Sequence, residues 1–298
     1  MRRTLTLIAD SARAPLDDAA VERASSALRE LGAQVDVPDW LAAGEACDLP
    51  FHGPPTGDMC AAVRDALEAA PVDIAVQAAA GRRKSILVAD MDSTIVTTET
   101  LDELAAHAGV KDKVAAITAR SMNGELDFES SLRERVAMLG GLSASALEEV
   151  ASRTVLTPGA RTLIATMRAH GAYTVLVSGG FLYFTSRIRA AAGFDLDVAN
   201  DLEIVDGCLT GCLSGPIIDR EAKLATLTRI VGERGLTMED SLAVGDGAND
   251  LAMLRAAGLG VGFRARPAVA AASDARIDHG DLSALLYLQG YRREQFRA

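Results

Sequence analysis

The sequence predicts an α/β fold, a doubly wound parallel sheet carrying a helical insertion, with a small α+β unit ahead of it. Three observations lead there. From residue 85 onward, short and mostly apolar runs at 86–89, 173–177, 242–244 and 260–263 alternate with helical stretches, as expected of parallel strands covered on both faces. Three of these runs end in polar or glycine-rich tips: Asp90-Met91-Asp92, Ser178-Gly179-Gly180 and Gly245-Asp246-Gly247. The first 80 residues read β-α-β-β-α-β, a ferredoxin-like order.

The elements follow in turn. The apolar stretch 4–9 stops at Asp10, too short for the core of a secretion signal, and reads as the first strand. Residues 17–31 form a helix ended by Gly32. Short strands at 35–41 and 46–51 precede a break at Gly53-Pro54-Pro55, a helix at 59–69 and a strand at 72–76. Gly81-Arg82-Arg83-Lys84 is a polar hinge, which divides the chain into domains of residues 1–80 and 81–298. After the strand 86–89, residues 100–153 are helical without strong strands. Thr157-Pro158-Gly159 opens the next helix, with Thr as N-cap and Pro at the first helical position, and Gly171 ends it. A strand at 173–177 and a helix at 181–192 follow, then a hairpin at 203–213 turning on Asp206-Gly207. The helix 221–231, strand 242–244, helix 251–257 and strand 260–263 complete the alternation.

Composition narrows the function classes. Of 298 residues, 49% are hydrophobic and 24% charged, which excludes global disorder. The net charge of −11, without a basic block, makes nucleic acid and anionic membrane poor partners. No apolar run approaches the ~18–20 residues of a membrane span. Cys47, Cys60, Cys208 and Cys212 form no C-x-x-C pair, so neither zinc nor a disulfide framework is expected, and a reducing, cytoplasmic setting fits.

Ligands of doubly wound sheets sit at the carboxyl ends of the strands, where the three tips lie. Two carboxylates two residues apart, Asp90 and Asp92, repel unless a cation or a shared proton holds them. Mg²⁺, a hard cation that prefers oxygen, suits them. Taken alone, the pair reads first as an Asp-rich turn capping the strand. Gly245-Asp246-Gly247-Ala248-Asn249-Asp250 offers more oxygen ligands, or a turn with an N-cap. Ser178 opening a helix is a phosphate site or an ordinary N-cap. Jointly, carboxylates and anion donors on one sheet suit a phosphate monoester bridged to Mg²⁺.

These tips, with Lys223, resemble the four ordered motifs of the haloacid-dehalogenase-like phosphatases. More narrowly, residues 85–288 are similar to the phosphoserine phosphatase family. The likeness includes Thr98-Glu99-Thr100-Leu101-Asp102-Glu103, Met122-Asn123-Gly124, Phe128 and Ser131-Leu132-Arg133-Glu134-Arg135. Residues 1–80 resemble ACT-type regulatory modules, and the insertion, at about 97–155, corresponds to a helical cap. The resemblance implies an Mg²⁺-dependent hydrolase that takes O-phospho-L-serine to L-serine and phosphate through an aspartyl-phosphate, the last step of serine synthesis. In it Asp90 is the nucleophile and Asp92 the general acid and base. Asp90, Asp246 and the backbone carbonyl of Asp92 are metal ligands, and Asp250 supports the metal through a water. Ser178, Gly179 and Lys223 hold the phosphoryl oxygens, and Asn249 reaches the substrate or its phosphate. Glu99 takes the substrate ammonium and Arg135 its carboxylate. The cap becomes a mobile lid. No partner beyond this small molecule is implied, although a homodimer is compatible.

The residues themselves leave alternatives open. Lys223 reads as a solvated helix lysine, Arg135 could pair with a nearby Glu, and Glu99 could be a solvated acid preceding a capping box at Thr100. Met122 and Phe128 are either apolar cover or core. A phosphatase or phosphotransferase for another phosphorylated amino acid, and a non-catalytic amino-acid sensor, are the competing functions. Nucleotide binding is disfavoured because Gly258-Leu259-Gly260-Val261-Gly262 lacks the G-x-G-x-x-G spacing.

Overall fold

The computed structural model describes residues 2–10, 13–53, 58–68, 70–122 and 125–298, the side chain of Met122 excepted. The expected break at Pro54-Pro55, the end of the second helix at Ala69 and the Asn123-Gly124 pair lie outside these residues.

The N-terminal part runs β1 (Arg3–Ala9), α1 (Asp18–Glu30), β2 (Gln34–Val35), β3 (Asp39–Ala42), β4 (Ala46–His52), α2 (Met59–Ala66) and β5 (Val72–Ala78). Its sheet has the order β2-β4-β1-β5 with β3 paired to β4, antiparallel throughout. The single strand expected at 35–41 is two strands. Pro38 has no N–H to give a ladder, and Val37 beside it is 84% exposed. Strand alternation splits the sheet into two faces. Leu5, Leu7, Leu49 and Phe51 pack beneath α1 and α2 with Leu28 and Val63. Ile8, Ala46 and Ala75 join the core of the rest of the chain instead. Arg82, within the expected polar hinge, is not solvated. It pairs with Asp48 and donates to Thr6 Oγ1 (3.0 Å) and to the carbonyls of Tyr287 (2.8 Å) and Leu288 (2.9 Å).

The remainder runs β6 (Ile86–Ala89), α3 (Thr100–His107), α4 (Lys111–Met122), α5 (Phe128–Ala137), α6 (Ser145–Arg153), α7 (Ala160–Ala169), β7 (Tyr173–Phe181) and α8 (Leu182–Ala192). It continues with β8 (Leu196–Val205), β9 (Cys208–Ser214), α9 (Arg220–Glu233), β10 (Ser241–Gly245), α10 (Leu251–Ala256), β11 (Leu259–Phe263), α11 (Pro267–Ala270), β12 (Ala275–Ile277) and α12 (Ala284–Leu288). The sheet order is β12-β11-β10-β6-β7-β8-β9, parallel except for the β8-β9 hairpin. This is the doubly wound α/β sheet that the sequence predicts. β6 is central and fully buried: Leu87 and Ala89 meet one apolar layer, Ile86 and Val88 the other. Elements after residue 263 have no sequence expectation, because β12 and the helices flanking it are too short to display a period.

Three local expectations need correction. The helix after Thr157 starts at Ala160 with Gly159 as its N-cap at φ +81°, so Pro158 precedes the helix. A side chain there would reach within 2.6 Å of Asp281 Oδ1, which demands glycine. β7 runs on through Ser178-Gly179-Gly180 to Phe181, and α8 begins only at Leu182. The serine tip is therefore the end of a strand, not the first turn of a helix. The capping box at Thr100 does not form: Glu99 is the N-cap of α3, without a side-chain capping bond, and the Thr100 N–H goes to Asp92.

Helices α3 to α6 leave and rejoin the sheet domain side by side. Val96 bridges Leu156, Thr97 N–H donates to Val155 O (3.1 Å), and Thr157 N–H to Ile95 O (2.9 Å).

Candidate active site

Strand order brings the three tips together. β6 lies between β10 and β7, with Ala89 level with Val244 on one side and Leu176 on the other. Asp90 therefore emerges between the loop of Asp246 and the end carrying Ser178. Backbone turns set the side chains: Asp90 N–H donates to Val244 O (3.0 Å), and Ser93 at φ +56° folds the chain back after Asp92.

One cavity of about 260 Å³ is lined by Asp90, Asp92, Glu99, Arg135, Ser178, Gly179, Asp246 and Asn249. Of the sequence-expected site residues, Asp250, itself buried, is not on its wall, and neither is Lys223. Lys223 lies beneath, fully buried, and its ammonium donates to Asp90 Oδ1 (2.6 Å) and Asp250 Oδ1 (2.7 Å). The solvated alternative for Lys223 is thereby excluded.

Oxygen atoms of Asp90, Asp246 and Asp250 lie within 4.8 Å of one another. Burial raises the Asp90 pKa, the neighbouring Asp250 carboxylate raises it further, and Lys223 works against both. Burial alone would lower the Lys223 pKa, but Asp250 and Asp90 outweigh it and hold the ammonium charged. Asp246 is pushed up to about 6, by burial first and then by Asp250 and Glu99. Three carboxylates against one ammonium leave two negative charges, which one divalent cation neutralises. An all-oxygen donor set of this charge fits Mg²⁺.

Asp92 sits differently. Its Oδ1 accepts from Thr100 N–H (2.9 Å) and its Oδ2 from Ser178 Oγ (3.2 Å), so its carboxyl is oriented away from the acidic trio. Burial, then the charge of Glu99, pushes its pKa up to about 6. A carboxyl raised toward neutrality can give and take a proton at moderate cost, which suits general acid–base chemistry.

The other end of the cavity belongs to the helical insertion. Arg135 on α5 is half-buried and, among the described residues, has no ion pair; its Nε donates to Ser131 O (3.2 Å). Burial lowers its pKa against the opposing pull of Asp102 and Glu99. An internal partner for Arg135 is thus not what the structure contains. Glu99 is exposed and accepts from Ser93 Oγ (2.6 Å). Phe128 lines the cavity over Gly179, where a Cβ would come within 3.1 Å of its ring, so it is cover and not buried core.

Sequence reasoning missed two contributors. Asn200 on β8 is buried, donates to Gly179 O (2.8 Å) and accepts from Ile218 N–H (2.8 Å), fixing the peptide at the serine tip. Asn200 lies mid-strand among other polar residues, Asp197, Asp201 and Glu203, so nothing in the sequence set it apart. Arg266 also lines the cavity, and its N–H donates to Asp246 O (3.2 Å). It follows the last strand recognised in the sequence, where no motif pointed.

The family model for haloacid dehalogenase-like hydrolases matches residues 87–255. The chain belongs to the haloacid dehalogenase-like hydrolases. Among curated members of this family, a phosphoserine phosphatase of Streptomyces coelicolor is 42% identical over 95% of this chain and 70% of its own length. A phosphoserine phosphatase of Mycobacterium tuberculosis is 46% identical over 76% of this chain and 56% of its own. The chain thus spans little more than half of the second relative. A crystal structure of a haloacid dehalogenase family hydrolase from Salmonella enterica serovar Typhi superposes with a TM-score of 0.83 at 28% identity, covering 96% of this chain and 98% of that one. A phospho-aspartyl intermediate analogue of a phosphoserine phosphatase superposes with a TM-score of 0.65 at 39% identity, over 69% of this chain and 98% of the other. This haloacid dehalogenase-like hydrolase is therefore an enzyme, and among its described residues no helix is long and apolar enough to cross a membrane.

Proposed function

We propose that the chain is an Mg²⁺-dependent phosphoserine phosphatase that hydrolyses O-phospho-L-serine to L-serine and phosphate, the final step of serine biosynthesis. One observation carries the reading. A single cavity has a carboxylate pair and a serine hydroxyl at one end and, at the other, a glutamate and an arginine that has no ion pair among the described residues. The first end suits a phosphoryl group, the second an α-carboxylate and an α-ammonium. The names of the curated relatives support the same substrate.

In this reading the residues take the following roles. Asp90 Oδ attacks phosphorus, forming an aspartyl-phosphate as the bond to the serine oxygen breaks. Asp92 gives its proton to that leaving oxygen. In the second step Asp92 takes a proton from the attacking water, the acyl-phosphate P–O bond breaks, and Asp90 is restored with release of phosphate. Ser178, the Gly179 N–H and Lys223 are the groups for the phosphoryl oxygens, and Asn249 lies on the same rim. Asp90, Asp246 and the carbonyl of Asp92 would hold Mg²⁺, whose charge lowers the repulsion between a carboxylate and an anionic phosphate. Asp250 keeps Lys223 and the Gly247 N–H in place (2.7 and 3.0 Å). The phospho-aspartyl analogue known for a relative supports the covalent step.

Residues 1–80 form, in this reading, an ACT-like ferredoxin-type domain and residues 81–298 the phosphatase domain, its cap at about 97–155. The separate apolar cluster under α1 and α2 supports the division. Four free cysteines support a cytoplasmic setting. The deciding experiment measures phosphate release from phosphoserine, phosphothreonine and phosphohomoserine, with and without a chelator. Phosphoserine should be preferred by about tenfold or more, and release from none of them would sink the proposal.

A further inference from the structure

The N-terminal sheet touches the rest of the chain through a carboxylate that no catalytic step uses. Asp73 on β5 is 4% exposed and faces the loop of residues 278–283, which follows β12. Its Oδ1 accepts from Asp278 N–H (2.7 Å) and His279 N–H (3.1 Å); its Oδ2 accepts from Gly280 N–H (2.8 Å) and, more weakly, His279 N–H (3.3 Å). Three successive N–H groups converging on one carboxylate form an anion nest, here filled by a side chain from another sheet. A residue at 280 with a Cβ would come within 3.2 Å of that carboxylate. Burial raises the Asp73 pKa, and the N–H groups of Gly280, Asp278 and His279 oppose the rise.

The far side of the same loop is the seat of the cap's return linker. Leu282 N–H donates to Pro158 O (3.1 Å). Asp281 Oδ1, held by Ser283 N–H (2.8 Å) and Ser283 Oγ (2.5 Å), closes the space over Gly159. One residue earlier, Thr157 N–H donates to Ile95 O (2.9 Å), which ties the exit linker to the entry linker. Asp246, by contrast, takes its backbone bond from Arg266, outside this loop.

We propose that Asp73 is a positioning residue: by pinning residues 278–283 it fixes the pivot of the cap, so the N-terminal sheet sets how Arg135 and Glu99 meet the amino-acid end of the substrate. This rests on the functional reading above for the substrate, but not for the clamp. Rigid support from a distant element is a usual requirement for a substrate-positioning group. A lost clamp would loosen the cap linkers and leave the phosphoryl end as it is.

The test compares full-length wild type with Asp73→Asn, which keeps the shape but turns an amide NH₂ toward N–H donors. A milder variant on the other side of the loop, Ser283→Ala, covers the case in which Asp73→Asn folds poorly. KM for phosphoserine should rise about fivefold to tenfold in Asp73→Asn, and about twofold in Ser283→Ala. The kcat for phosphoserine and both constants for a small aryl phosphate should stay within about twofold. Equal losses on both substrates, or no change, would overturn the proposal. Hydrogen exchange reads the clamp independently of turnover: Asp73→Asn should expose amides 278–280 and speed exchange at 157–160. Faster exchange at 278–280 alone would refute the link to the cap. Wild type inert on phosphoserine would count against the substrate, and the exchange result would still decide the clamp.

Discussion

Lys223 Nζ lies 2.6 Å from Asp90 Oδ1 although 133 residues separate them in sequence. The pair is joined because α9 lies against the sheet at the end of β6, and Asp250 completes it from the start of α10. Replacing Lys223 by Met leaves two buried carboxylates facing each other. Such a loss of one partner costs about 3–5 kcal/mol when the remaining charges stay ionised, and less if one takes up a proton. We expect kcat to fall about a thousandfold or more with a lowered melting temperature, checked by steady-state kinetics and calorimetry. A variant with wild-type turnover would remove Lys223 from phosphoryl binding.

Asp90→Asn should part activity from stability. The amide fills the same space but carries no charge to attack phosphorus, so turnover should drop about ten-thousandfold or more. It also removes one of the negative charges left over in the trio, while Lys223 keeps Asp250. The melting temperature of the metal-free protein should therefore hold or rise. A marked fall in melting temperature would contradict the charge count.

Arg135→Ala tests the far end of the cavity. The guanidinium has no ion pair to lose among the described residues, so the stability change should stay within about 1 kcal/mol. Phosphoserine should lose about a hundredfold in kcat/KM, and an aryl phosphate lacking the amino-acid group less than about threefold. Equal losses would take Arg135 out of substrate recognition.

Much of this site was legible beforehand because it is local. Asp90, Asp92, Ser178 and Asp246 sit at ends of apolar strands, and a parallel sheet brings strand ends together by topology. Lys223 was legible only through family likeness: its helix is weakly amphipathic, a lysine in it reads as solvated, and its burial comes from packing between elements far apart in sequence. Asp250 read equally well as a helix-terminal acid, and only the fold turns it toward Lys223. The strand at 35–41 was misjudged because apolarity outvoted Pro38, which lacks the N–H a ladder needs. Asp73 could not be anticipated at all, since the loop it binds is recruited from the other end of the chain.

Gly180→Ala isolates the orientation of Asp92. Gly180 has no positive φ, so alanine is conformationally allowed there. Its Cβ, however, would lie 2.8 Å from Asp92 Oδ2 and 3.1 Å from Ser178 Oγ. One of these groups must move, and both act on the transferred phosphoryl group in the proposed mechanism. Turnover should fall about tenfold to a hundredfold while the melting temperature changes by only a few degrees. A fully active Gly180→Ala enzyme would mean that the Asp92–Ser178 arrangement tolerates displacement.

Metal affinity should depend on pH through Asp246. Its carboxyl is raised to about 6, by burial first and the Asp250 charge second. An acid raised in the folded state stabilises the metal-free protein at low pH, and that contribution fades as pH climbs through the folded pKa. A divalent ion acts in the opposite sense, since it binds the ionised form and must displace the proton at low pH. At pH 5 a group titrating at 6 is about nine-tenths protonated, so Mg²⁺ affinity should be about tenfold weaker than at pH 7.5 from this carboxyl alone. Mg²⁺ should accordingly raise the melting temperature more at pH 7.5 than at pH 5, and Asp246→Asn should lose most of that difference. Calorimetric titration at the two pH values checks it, and equal affinities would show that Asp246 is not a ligand whose proton competes with the metal.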